Sequence, residues 1–157
     1  LGTNPWTDDD FYALGESDWR DFEAQWARYG LHYGSIAEIG AGAGRITRAL
    51  ARRFAEVHAL DVSEDMLAYA KQRVTEPNVH FYLTEGRDLP LAPGSLDAVF
   101  STHVFQHLDS VEDGFRYFEE IARILKPGGS LMIHLPIFSW PWGAGKTTKK
   151  AFRLEKW

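Results

Sequence analysis

Glu38-Ile39-Gly40-Ala41-Gly42-Ala43-Gly44-Arg45 is the stretch on which the reading of this sequence turns. It closes a short apolar run, Ser35–Ile39, and opens a helical period in which Ile46, Leu50 and Phe54 recur every four residues. A glycine-rich turn from strand to helix lets the backbone approach a ligand with no Cβ in the way, and the free N–H groups at a helix start attract an anion. The spacing separates two ligand classes. A dinucleotide fingerprint G-x-G-x-x-G begun at Gly40 needs glycine at position 45, where the chain has Arg45. The pattern acid-x-G-x-G-x-G is instead met in full by Glu38, Gly40, Gly42 and Gly44. A nicotinamide dehydrogenase is therefore disfavoured.

Outward from the loop, short apolar runs alternate with helical periods. Strands are expected at Ser35–Ile39, Glu56–Asp61, Asn78–Thr84, Asp97–Ser101 and Ser130–Leu135, and helices at Gly44–Phe54, Ser63–Val74 and Asp109–Leu125. In the second of these helices Met66, Leu67, Ala70 and Val74 form the apolar period. The last helix opens on Asp109-x-x-Glu112, the spacing of a capping box, and carries Val111, Phe115, Phe118, Ala122 and Leu125 on one face. It ends at Lys126-Pro127-Gly128-Gly129, where proline stops the helix and the glycines turn the chain. Such alternation implies right-handed crossovers, hence an α/β fold: a Rossmann-like, doubly wound, mostly parallel sheet with helices on both faces. The ligand site is then expected at the carboxyl ends of the strands.

The chain reads as a single domain, residues 1–157, with a core at 35–135. Residues 1–34 form an N-terminal aromatic arm and helix: an irregular arm to residue 16, then a helix over Asp18–Tyr29 capped by Ser17. Trp19, Phe22, Trp26 and Tyr29 share one face of that helix, a stripe expected to pack on the sheet, with a lid over a ligand as the alternative. Residues 136–157 read as a loop or an incomplete C-terminal part. Neither an internal repeat nor a low-complexity tract is visible.

Composition bounds the function classes. The 157 residues are 45% hydrophobic and 25% charged, which fits a globular domain. A net charge of −5 leaves no basic face for a phosphate backbone, so no nucleic-acid partner is expected. The absence of cysteine removes thiolate metal sites, a thiol nucleophile and disulfides together. No apolar run approaches the roughly 20 residues of a membrane helix, and no signal peptide is visible, so the expected compartment is cytoplasmic.

Seventeen residues after Gly44, the second strand ends on Asp61. A carboxylate there can accept hydrogen bonds from both hydroxyls of a ribose, and Val62 offers an apolar edge to a base. Capping the next helix is the competing role for Asp61, but Ser63 is the better-placed cap.

Taken together, these features resemble the class I S-adenosylmethionine-dependent methyltransferases, from about Ile36 to Leu135. The glycine loop, the second-strand acid, the segment Glu85-Gly86-Arg87-Asp88-Leu89-Pro90 leading to Leu96-Asp97-Ala98-Val99-Phe100, and Leu125-Lys126-Pro127-Gly128-Gly129 all fall in family order. The resemblance implies S-adenosylmethionine as cofactor and S-adenosylhomocysteine as product. Gly40, Gly42 and Gly44 would cradle the methionine portion, with Glu38 orienting the loop or meeting the amino group through water. Asp61 would hold the ribose. Glu85 and Gly86 would border adenine, although many family members carry Asp where this chain has Glu85, and Asp88 competes for that contact. Ser101 and Thr102 would face the sulfonium. The resemblance also implies a core that lacks its C-terminal part after the fifth strand.

Methyl transfer is an in-line displacement, so positioning supplies much of the rate, and a base is needed only where the nucleophile must lose a proton. His103 and His107 are the candidates for that base, four residues apart and one helical turn from one another if the segment is helical. The same spacing suits a metal, but no carboxylate partner is evident and no metal is expected. Members that methylate base nitrogens or glutamine amides carry Asn/Asp-Pro-Pro-aromatic here, against Thr102-His103-Val104-Phe105 in this chain. A small-molecule methyl acceptor is therefore expected, with Phe11, Tyr12 and the aromatic stripe available as an apolar lid. The alternative is a non-catalytic S-adenosylmethionine-binding or scaffold relative.

Two C-terminal features complete the reading. Gly143-Ala144-Gly145-Lys146-Thr147-Thr148 imitates the end of a phosphate-binding loop, but the motif's first glycine falls on Trp140, so a solvated basic loop is expected. Leu131–Leu135 would form an apolar edge strand, which missing C-terminal residues, a homodimer through this fifth-strand edge, or an incomplete relative would each explain. Missing residues are the reading adopted.

Overall fold

The computed structural model describes residues 7–86 and 88–134, together with the backbone of residues 136, 137, 148 and 149. Five strands, β1 (Ser35–Ile39), β2 (Glu56–Asp61), β3 (Val79–Leu83), β4 (Leu96–Thr102) and β5 (Leu125–His134), build one sheet in the order β3-β2-β1-β4-β5. Every pairing in it is parallel. Helices α1 (Asp8–Trp26), α2 (Thr47–Ala51), α3 (Glu64–Arg73) and α4 (Val111–Ile124) accompany it. A separate two-residue pair joins β6 (Pro136–Ile137) to β7 (Thr148–Lys149) in antiparallel register. The Rossmann-like architecture is the one expected, and strand order reverses between β1 and β4, where such sheets bind ligands.

The period of two in each strand builds two cores. Ile36, Val57, Ala98 and Phe100 face α1 and α2, packing with Trp19, Trp26, Leu50 and Phe54. Their neighbours Ala37, Ile39, Leu60 and Val99 face the other way, onto Tyr117, Ile121 and Ile124 of α4. Helices thus cover both faces, and the strands are apolar on both sides, as a buried parallel sheet requires. At the amino end of the sheet Asp97 accepts bonds from the Ser35 N–H at 2.8 Å and from Lys126 Nζ at 2.9 Å, tying β1, β4 and β5 together. The Lys126 ammonium holds that carboxyl below its ordinary range.

Several local expectations are corrected. The N-terminal arm is helical from Asp8: Thr7 is the cap, its Oγ1 accepting from the Asp10 N–H at 3.2 Å while Asp10 accepts in return from the Thr7 N–H at 3.1 Å. Ser17 lies inside that helix. Of the stripe, Trp19 and Trp26 are buried and Phe22 is partly so, all against the sheet; Tyr29, on the single 3-10 turn beyond α1, is exposed. The helix expected at Gly44–Phe54 is only Thr47–Ala51, because the turn consumes residues up to Ile46. In α4, Ser110 is the cap rather than Asp109, accepting from the Asp113 N–H at 3.1 Å. The buried phase of α4 is Tyr117, Ile121 and Ile124, leaving Val111 and Phe115 exposed. Lys126–Gly129 is an irregularity within β5, with Leu96 opposite Leu125 and Ala98 opposite Ser130.

Met66 is likewise exposed, whereas Leu67, Ala70 and Val74 are buried as expected. Leu131 and Met132 on β5 are partly covered, by opposite cores, and β5 is an edge of the sheet among the described residues. Leu135, Arg87 and Gly143–Thr147 lie outside the described residues, and with them most of the imitation phosphate loop. No helix among the described residues is long and apolar enough to cross a membrane.

Candidate functional site

The glycine turn leaves β1 with Gly40, Gly42 and Gly44 all at positive φ, 81°, 53° and 80°. At Gly40 a side chain is also excluded by space, since a Cβ there would lie 2.0 Å from Val104 Cγ2. Gly42 differs: a Cβ there would meet nothing within 4 Å, so its surface is open. The N–H groups of Gly40 and Ala41 both donate to the Leu60 carbonyl, at 2.8 and 3.0 Å, which pins the turn to β2.

Asp61, at the carboxyl end of β2, completes the grip. Its Oδ2 accepts from the Gly42 N–H at 2.7 Å and its Oδ1 from the Ser63 N–H at 2.9 Å. A carboxylate offers about four lone-pair sites, so capacity remains on both oxygens. Ser63 serves as cap of α3, as expected, through the Met66 N–H. Val62, 62% exposed, stands next to Gly86: a Cβ on Gly86 would come within 3.4 Å of Val62 Cγ1 and 3.2 Å of the Tyr117 hydroxyl. Glu85 and Asp88 are exposed beside it.

Glu38 points the other way, into the protein, and is 3% exposed. Its Oε2 accepts from the buried Thr47 hydroxyl at 2.5 Å. Burial pushes its carboxyl up to about 8, against the pull of the Thr47 bond and the Arg45 charge. In this position it fastens the loop to α2.

The carboxyl ends of β4 and β5 form the other half of the site. Ser101 is fully buried and donates to the Ile39 carbonyl at 2.9 Å, joining β4 to β1. His103 follows with φ 61°, a left-handed conformation uncommon for a non-glycine residue. That turn sets its ring edge-on to His134, 5.2 Å between centroids, while His134 Nδ1 lies 3.3 Å from Thr102 Oγ1. Val104, the next residue, packs its side chain against Gly40, so the backbone at His103 lies near the glycine turn. Residues 105–107 form a single 3-10 turn rather than an α-helix, and His107 Nε2 meets the Gln106 amide at 3.0 Å. Among the described residues no cluster of His, Asp and Glu could hold a metal ion.

The structure thus assembles Gly40, Gly42, Gly44, Asp61, Val62 and Gly86 at one end of the sheet, with His103 and His107 on the segment that follows β4. Several supporting residues escape sequence reasoning. Thr84 organises the turn after β3 by donating to the Asp88 carbonyl at 2.9 Å and accepting from the Gly86 N–H at 3.2 Å. Glu120 and Arg123 of α4 bind the Leu89 N–H and the Leu89 and Leu91 carbonyls. Thr47 and His134 are missed because only the fold brings each to its partner, Glu38 and Thr102. The only signal was position, His134 at a strand end and Thr47 at the start of a helix.

Known proteins share this framework. The family model described as "Methyltransferase domain" matches residues 37–133. The biotin biosynthesis bifunctional protein BioHC of Cellvibrio japonicus is 38% identical over 98 residues, 62% of this chain and 19% of that protein. Demethylmenaquinone methyltransferase of Tropheryma whipplei strain Twist is 36% identical over 99 residues, 62% of this chain and 40% of that protein. The chain therefore spans well under half the length of these relatives. A crystal structure of a SAM dependent methyltransferase from Aquifex aeolicus superposes with TM-score 0.64 at 24% identity, covering 82% of this chain and 72% of that one, a likeness of fold. Since the matched stretch runs from β1 into β5, and so through each loop that forms the site, the chain belongs to the methyltransferase domain family.

Proposed function

We propose that this chain binds S-adenosylmethionine at the glycine turn and transfers its methyl group to a small-molecule acceptor. The observation that carries the reading is the Asp61 carboxylate at the end of β2, gripping the Gly42 N–H while both its oxygens retain capacity to accept. A ribose diol needs two such acceptors. The open surface over Gly42 is where a ligand backbone has room to approach, and Gly40 and Gly44 give the turn its curvature. Val62 and Gly86 form the apolar edge against which a base would lie, with Glu85 at its rim.

When bound, the cofactor supplies a methyl group on a sulfonium, a leaving group that needs no acid. The protein's share is to orient and, for a protic acceptor, to take up a proton. His103, ring to ring with His134 and next in sequence to the Val104 that meets Gly40, is the proposed base for that second task. Ser101 fixes the strand end from below rather than offering a free hydroxyl. Names of relatives are consistent with small acceptors, demethylmenaquinone among them.

The test is a screen for transfer of labelled methyl from S-adenosylmethionine to a panel of phenols, carboxylates and amines. Transfer to a member of the panel is expected, and His103→Ala is expected to lower it by about 10²-fold or more for a protic acceptor. Cofactor binding with no transfer to any acceptor would favour the non-catalytic relative. Transfer untouched by His103→Ala would remove the histidine from the reaction.

A further inference from the structure

We propose that Tyr12 is a positioning residue for the cofactor loop, its hydroxyl holding the glycine turn from α1 while Asp61 holds it from β2. The inference rests on the reading that this turn binds the cofactor. Tyr12 lies on α1, 7% exposed, and donates to the Ala43 carbonyl at 2.9 Å, across 31 residues of sequence. Its ring is backed by the Arg48 guanidinium, 5.2 Å from the centroid. Burial raises the ionisation of the phenol above its ordinary value, so the group remains a donor.

The rest of α1 is shaped to make that bond. Gly15, one turn further, lets the helix ride directly on the loop's exit: a Cβ there would sit 2.0 Å from the Arg45 carbonyl oxygen. Asp18 pairs with the Arg45 guanidinium. At the other end, Asp8 accepts from the Tyr69 hydroxyl at 2.7 Å and pairs with Arg73 at 2.8 Å, both on α3. Helix α1 is thereby anchored to α3 and to the loop at once.

Adjoining residues of the turn are thus held from two sides, the Gly42 N–H by Asp61 and the Ala43 carbonyl by Tyr12. Three residues at positive φ give this segment unusual freedom once a hold is lost. If only a fraction of molecules keeps the binding-competent turn, apparent affinity falls by that fraction. Tyr12 acts by keeping that fraction high.

Tyr12→Phe tests this, since it retains the ring over Arg48 and deletes only the hydroxyl. Two quantities are measured on the full chain: affinity for S-adenosylhomocysteine by calorimetry, and amide hydrogen exchange of the ligand-free protein. The expected result is affinity weaker by about 2- to 13-fold, with faster exchange at Gly42 and Gly44 and unchanged exchange at Ile39 and Leu60 in the sheet. Gly15→Ala should move both readouts in the same direction by forcing α1 off the Arg45 carbonyl, whereas Leu14→Ala, on the helix's outer side, should move neither. Unchanged exchange at the two glycines in Tyr12→Phe overturns the proposal, as does acceleration spread evenly through the sheet, which would make Tyr12 merely structural. Failure of the unaltered protein to bind S-adenosylhomocysteine would instead sink the cofactor reading, and the exchange at Gly42 and Gly44 would still decide the role of Tyr12.

Discussion

Glu38 is a carboxylic acid placed where its neutral form is favoured. It is buried between β1 and α2, bonded to Thr47, and its carboxyl is pushed up to about 8 by desolvation, from an ordinary value of 4.5. Between those values the folded protein keeps a proton that the unfolded chain has released. The stabilisation is therefore complete below about pH 4.5 and is lost as pH rises through 8. Glu38→Gln removes the titration while keeping size and hydrogen-bonding capacity, so its stability should depend less on pH across this window. Urea unfolding at pH 5 and pH 8 should show the unaltered protein losing a few kcal/mol more than the variant. Equal losses would place Glu38 in contact with water. His103, left-handed at φ 61°, carries backbone strain of the kind that collects at functional sites.

At the scale of elements, α1 does most to support the site from outside the sheet. Trp19 is fully buried, edge-on to Trp26, Phe54 and Phe100 at 5.5–6.3 Å, so it joins the helix to β4 and to the chain after α2. Trp19→Ala is expected to cost about 3–5 kcal/mol in a denaturant titration; a loss below about 1 kcal/mol would mean that α1 is not docked as described. The length of α1 was hidden because Gly15 and the Asp8-Asp9-Asp10 run look like loop residues. The acids are a helix start, favoured by the macrodipole and capped at Thr7, and Gly15 answers to the Arg45 carbonyl, which only the tertiary fold brings near. The five strands were legible from apolar runs because a buried parallel sheet needs them. The inward face of α4 was not, since that helix carries two apolar phases and packing against Leu60 and Val99 selects one. In the site, Gly40, Gly42, Gly44 and Asp61 were legible because local geometry demands them, whereas Glu120 and Arg123 serve a loop remote in sequence.

For the molecule as a whole, the strand order β3-β2-β1-β4-β5 decides where chemistry can occur. Reversal between β1 and β4 marks the place at which such sheets bind ligands; the glycine turn, gripped by Asp61, follows β1, and His103, ring to ring with His134, follows β4. The proposed function rests on binding of S-adenosylmethionine through Asp61. It is tested most directly by calorimetric titration of S-adenosylhomocysteine into the chain and into Asp61→Ala. Saturable binding to one site is expected, weakened about 10- to 150-fold in the variant by loss of charge-assisted hydrogen bonds. Binding that the substitution leaves unchanged, or none by a folded sample at millimolar ligand, would contradict it.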